Sequence, residues 1–197
     1  LHTPEWYIKQ GIELISGQVV VDVNRRQRQV ITDQGLSIAY DRLLLATGSV
    51  PFIIPIPNHN HACVLSFRDI QDVEAMLAAT TEKKRVAVIG GGLLGLEAAN
   101  GLLKRGVDVT VIHDVTCLMN RQLDSEAAHL LQKQLENNGM KFRMGVVTKE
   151  IVAKDAEHLS HLTFREGEDL VTDLVIMAVG VRPNVALAKQ IGLQVDK

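Results

Sequence analysis

The sequence predicts an α/β fold built on a parallel sheet, and three observations predict it. Short β-branched runs alternate with apolar segments at helical spacing through the middle of the chain. One of those runs, Val86 to Ile89, passes into three consecutive glycines and straight on into a helical pattern. A short signature also occurs twice with every spacing kept, as Asp41-x-Leu-Leu-Leu-Ala46-x-Gly48-x-x-Pro51 and as Asp173-x-Val-Ile-Met-Ala178-x-Gly180-x-x-Pro183.

Residues 1–48 read as short strands and turns. Ile12–Ile15, Val19–Val23, Arg28–Thr32 and Leu36–Tyr40 are separated by Gly17, Asn24-Arg25 and Gln34-Gly35. Arg42–Ala46 reads as a buried apolar strand that stops at Thr47-Gly48. Pro51, Pro55 and Pro57 remove backbone donors from the next stretch, so 49–61 is an extended crossover. Asp69 is placed to cap a helix through Thr80, with Asp72 as the reciprocal acid. A strand at 86–89, a helix at 93–105 closed by Gly106 and a strand at 107–112 come next. Asp124 caps a further helix that carries Leu130, Leu131 and Leu135, and Asn137-Asn138-Gly139 stops it. Strands return at Phe142–Met144, Val147–Ala153, Leu159–Phe164 and Leu174–Ala178. The tail holds a short helix near Val185–Ile191 and then a strand, Leu193–Val195.

The chemistry sits at Gly90-x-Gly92-x-x-Gly95, between a strand and a helix as a dinucleotide fingerprint requires. Gly90 permits the tight turn, Gly92 lets a diphosphate approach the backbone, and Gly95 lets helix and strand pack closely. The unpaired N–H groups at the helix start, in the segment of Leu93 and Leu94, face the anion with the helix dipole behind them. Such folds place an acid at the end of the next strand to hold the adenosine ribose. Here that place is His113, followed by Asp114. A neutral imidazole accepts from a 2′-hydroxyl, and a charged one pairs with a 2′-phosphate. Asp114 opposes the phosphate, which favours NADH over NADPH. Arg121 is either a partner for a phosphate or a solvated arginine ahead of the 124 helix.

Bulk properties exclude several classes. The 197 residues carry a net charge of −2 and a pI of about 6.4, with 46% hydrophobic residues. Nothing there favours nucleic acid or an anionic membrane surface. No apolar run has the length of a membrane span. Cys63 and Cys117 form no CxxC, which fits a reducing compartment. His59 and His61 lack a third ligand nearby, so no metal site is assigned, and no residue is singled out as catalytic.

The repeat bears on organisation. Gly90 lies 88 positions ahead of Ala178, and the same offset from Ala46 falls upstream of Leu1. The chain is therefore expected to be a fragment that lacks the first strand, glycine turn and helix of the first of two tandem nucleotide-binding domains.

Three stretches resemble the FAD-dependent pyridine nucleotide-disulfide oxidoreductases: 40–49 (YDRLLLATGS), 90–99 (GGGLLGLEAA) and 179–184 (VGVRPN). Trp6-Tyr7-x-x-x-Gly11-Ile12, Phe67-Arg68 and Met119-x-Arg121-Gln122-Leu123-Asp124 resemble the branch that holds the flavoprotein portion of NAD(P)H-dependent nitrite reductase large subunits. The resemblance implies a Rossmann-like NAD(P)-binding domain of three-layer ββα character at 62–178. A partial FAD-binding domain at 1–61 and a return segment to it at 179–197 flank that domain. It implies that Ala46, Thr47 and Gly48 pass beside FAD, with Val20 near its adenine. It also implies that 90–97 holds the NAD(P)H diphosphate, that Glu97 lies towards the nicotinamide, and that Val179 and Gly180 close over that nucleotide. Hydride would pass from NADH or NADPH to FAD, and electrons onward to a downstream iron–sulfur and sirohaem domain or to a separate acceptor protein. The fragment alone is expected to hold FAD weakly and to be inactive. The whole protein is expected in the cytoplasm, with a homodimer as one open assembly. The alternatives are an NADH oxidase, a ferredoxin or rubredoxin reductase of the same superfamily, and a non-catalytic NAD(P)-binding sensor.

Overall fold

Thr3-Pro4-Glu5 opens the chain with a helix, α1 (Pro4–Lys9), where the strand-rich composition predicts none. Proline costs nothing there, because the first N–H groups of a helix have no intrahelical partner. The computed structural model describes residues 2–81 and 85–196. The chain forms two compact units, Leu1–Gly48 with Pro183–Lys197 and Ser49–Arg182.

In the first unit, β1 (Val20–Asn24), β2 (Gln29–Thr32) and β3 (Ser37–Ala39) form an antiparallel sheet in that order. Val23, Val30 and Thr32 are its buried residues. The turn between β1 and β2 is held by the Asn24 side chain, which accepts from the Arg26 and Gln27 N–H groups. Two expected strands are absent. Ile12–Ile15 and Arg42–Ala46 are irregular, and Leu44 is 87% exposed. An apolar run becomes a strand only where a neighbour completes its ladder, and no strand among the described residues pairs with either.

The second unit opens with β4 (Ser49–Pro51) and β5 (Val64–Ser66), followed by α2 (Ile70–Ala79). Asp69 caps α2 as expected: its carboxylate accepts the Asp72 N–H at 3.0 Å, while Asp72 accepts the Asp69 N–H. Then come β6 (Arg85–Ile89), α3 (Leu93–Leu103), β7 (Asp108–His113), α4 (Ser125–Asn137, capped by Asp124) and β8 (Lys141–Met144). The remaining strands are β9 (Thr148–Ala153), β10 (Leu159–Phe164), β11 (Leu170–Val171), β12 (Leu174–Met177) and β13 (Val181–Pro183). The chain returns to the first unit with α5 (Ala186–Gln190), whose Gln190 side chain donates to the Val21 carbonyl of β1. Beyond it, Leu193–Val195 is irregular rather than a strand.

The central sheet is parallel throughout, in the order β5-β12-β6-β7-β8. Its strands read as continuous apolar runs because both faces are covered. On the helical side Leu96, Ala98, Ala99 and Leu102 of α3 enter the core; the antiparallel sheet β11-β10-β9 contributes Ile151, Leu159, Leu162 and Phe164 to the same cluster. Helix, parallel sheet and antiparallel sheet make the expected three-layer ββα arrangement. Val88, Val109, Val111 and Val175 are wholly buried. At about 1.5 kcal/mol or more for each such side chain, these layers carry much of the unit's stability. Asp173 of the repeated signature registers β12 beside β6, accepting from the Arg85 backbone N–H and its guanidinium Nε, each at 3.0 Å.

Candidate functional site

The site grows from the junction of β6 and α3. Gly90 ends the strand with φ of +122°, and its N–H donates to the Ile112 carbonyl of β7 at 2.8 Å. A Cβ at Gly90 would meet the Ala178 carbonyl oxygen at 2.3 Å; one at Gly95 would meet the Gly90 oxygen at 1.9 Å. Both glycines are therefore required by close packing of turn, helix and β12. Gly92 is different. It is the N-cap of α3 with φ of −88°, a Cβ there would meet nothing within 4 Å, and no side chain caps the helix. The first turn of α3 thus borders open space with no side chain capping its amides, the arrangement that suits an anion.

That space is a cavity of about 560 Å³ within the second unit. Of the residues named from the sequence, Gly90, Gly92, Leu93, Leu94, His113, Val179 and Gly180 all line it. Gly95 lies beneath the turn, and Glu97 is an exposed residue of α3 that does not line the cavity. Val20, Ala46, Thr47 and Gly48 belong to the first unit and are exposed. There Thr47 Oγ1 donates to the Asn184 carbonyl at 2.6 Å, and the Gly48 carbonyl accepts the Asn184 N–H. The repeated Ala-x-Gly ends share one local device: Gly48 and Gly180 both have positive φ, +71° and +120°.

The structure adds residues that spacing did not name. Asn120 and Gln122 join Arg121 on the wall, from the loop after β7, and Phe52 and Ile54 join from the connector. Gly91 is closely packed as well, because a Cβ there would run into the His113 ring. The His113 side chain is only 12% exposed. Burial pushes its imidazole below the ordinary histidine value, while the Asp114 carboxylate and the Asn120 side chain pull the other way. The ring is accordingly neutral at neutral pH. His59 and His61 turn a ring nitrogen to the carbonyls of Ile56 and Asp155, and no group among the described residues could hold a metal ion. No helix among them is long and apolar enough to cross a membrane.

Residues 6–197 match the family model described as pyridine nucleotide-disulphide oxidoreductase. The chain belongs to that family. Within it, the chain is 49% identical over 193 residues to the nitrite reductase [NAD(P)H] of Bacillus subtilis, covering 98% of this chain and 24% of that protein. It is 43% identical to the assimilatory nitrate reductase electron transfer subunit of the same organism, over all of this chain and 25% of the relative. It thus spans about a quarter of the length of these two relatives. Among solved structures, the ferredoxin reductase for the CYP199A2 system of Rhodopseudomonas palustris matches with a TM-score of 0.92 and 31% identity, over the whole chain and 48% of that protein.

Proposed function

We propose that this chain is the NAD(P)H-binding part of an FAD-dependent reductase of nitrite reductase type, passing reducing equivalents from the nicotinamide nucleotide to the flavin. One observation carries the reading: Gly92 opens α3 without a capping side chain, on the wall of a cavity that His113 and Gly180 also line. The diphosphate lies over Gly90 and Gly92, with the amides around Leu93 and Leu94 turned to it. The adenosine end lies by His113 and Asp114, and the nicotinamide end by Val179 and Gly180, with Glu97 further along α3. Arg121 is the cation available to phosphate charge in the same cavity. A neutral His113 beside the Asp114 carboxylate favours a plain 2′-hydroxyl, so NADH binds more tightly than NADPH.

Ala46, Thr47, Gly48 and Val20 are the positions for FAD. The left-handed Gly48, with open space around its Cα, fits a close approach of ligand to backbone. When bound, FAD takes up a hydride and releases electrons singly. We place the onward path in an iron–sulfur and sirohaem domain of the whole protein, in the cytoplasm. The likeness to the ferredoxin reductase structure supports a second reading, in which the electrons leave to a separate small acceptor protein.

Calorimetry with NADH and NADPH, on this chain and on Gly92→Ala, tests the proposal. The expected result is binding of NADH, weaker binding of NADPH, and a loss of about tenfold or more in affinity in G92A. A folded protein that binds neither nucleotide would overturn it.

A further inference from the structure

A bare glycine fingerprint does not require the packing that stands beside this one. A Cβ on Gly91 would lie 2.8 Å from His113 Cδ2, 2.9 Å from its Cγ and 2.8 Å from a methyl carbon of Leu118. The Gly91 carbonyl accepts the Met119 N–H at 2.9 Å. Imidazole, glycine turn and loop are therefore packed as one wedge, and that loop carries Asn120 and Arg121 onto the cavity wall. Within the wedge, Nε2 of His113 is buried and has no hydrogen-bond partner. Nδ1 lies 3.3 Å from the exposed Asp114 carboxylate. Resting on the reading that the cavity holds NAD(P)H, we propose that His113 is a positioning residue: its neutral ring, seated on Gly91, holds the turn and the 118–122 loop at the spacing the dinucleotide needs, and protonation unseats it.

The physical ground is the cost of a buried N–H with no acceptor, which rises when the ring also carries charge. The charged groups that line the cavity with it are Asp114 and Arg121. The adjacent strand β8 sets the uncharged Met144 beside it, and the turn brings only glycines and leucines. Asp114 reaches the Nδ1 edge and the Asn120 side chain adds a smaller pull towards the charged form, but burial outweighs both and Nε2 makes no hydrogen bond. Because burial holds the ring below its ordinary value of 6.5, the seated form is fully present above that value. It is lost as pH falls through the lowered one.

Nitrogen-15 NMR of the ligand-free protein tests the wedge, and NADH calorimetry at about pH 7.5 and about pH 5.5 tests its consequence. We expect the Gly91 and Met119 amide signals to follow the His113 titration in the wild type and to be flat in His113→Phe. The wild type should lose NADH affinity across that range, by less than the roughly tenfold that a ring at its ordinary value would give. H113F should bind with an affinity that no longer changes with pH, and H113A should bind more weakly than H113F at both. Amides indifferent to the titration, or H113F as weak as H113A, would overturn the proposal. Should H113F fail to fold, the wild-type amide titration decides alone. Amides that follow His113 in a protein that binds no NADH would leave the wedge standing and remove the nucleotide reading.

Discussion

The glycines of a single turn do different work, and substitution separates them. Gly95→Ala places a methyl 1.9 Å from the Gly90 oxygen, and Gly90→Ala places one 2.3 Å from the Ala178 oxygen at a φ of +122°. Neither obstacle is a flexible side chain, so each change should cost about 3 kcal/mol or more in urea unfolding. Gly92→Ala meets nothing and should stay within about 1 kcal/mol of the wild type while losing nucleotide affinity. The packing of Gly90 and Gly95 was legible because it depends on the missing side chain and on the strand and helix beside it. Gly91 was not legible. Its neighbour His113 is brought to it only by the pairing of β6 with β7. Arg121 was visible as a cation, but the loop that carries it to the cavity has no periodic pattern to read.

Helix starts were readable because the signal is local. Asp69 and Asp72 satisfy each other's backbone donors, and Asp72 also accepts from Ser66 Oγ of β5 at 2.8 Å. Asp69→Ala should therefore cost about 1 kcal/mol by chemical denaturation, and Asp124→Ala a similar amount at α4. Replacing Asp72 should cost more than replacing Asp69, since it also releases the tie between α2 and β5. A D72A variant no less stable than D69A would show that this tie contributes nothing. The same local logic could have found α1 from its Thr3-Pro4-Glu5 start, but a six-residue helix with no buried residue leaves no periodic pattern to mark it. Arg42–Ala46 failed for the opposite reason. Its composition is that of a buried strand, yet ladder partners are a property of the fold, and none among the described residues reaches it.

At the scale of the molecule, the two units differ in what they bury. In Ser49–Arg182 the parallel sheet runs through a continuous core, with Val88, Val109, Val175 and Ile176 wholly enclosed. Among the described residues of the first unit only Val23, Val30 and Thr32 are buried, while Ile8 is 76% exposed, Val19 63% and Leu44 87%. Local opening free energy follows buried apolar contact, so amide exchange should divide along this boundary. We expect amides of β6, β7 and β12 to be the slowest, and those of β1–β3 to exchange at least a hundredfold faster, a gap of about 2.7 kcal/mol. Exchange followed by mass spectrometry on the intact chain measures this directly. Adding NADH should slow the second unit further, because a ligand that binds only the folded form raises its opening cost. It should slow the first unit less. Equal protection of the two units would mean that the exposed apolar residues of the first are covered in solution, and the contrast in burial would then say nothing about stability.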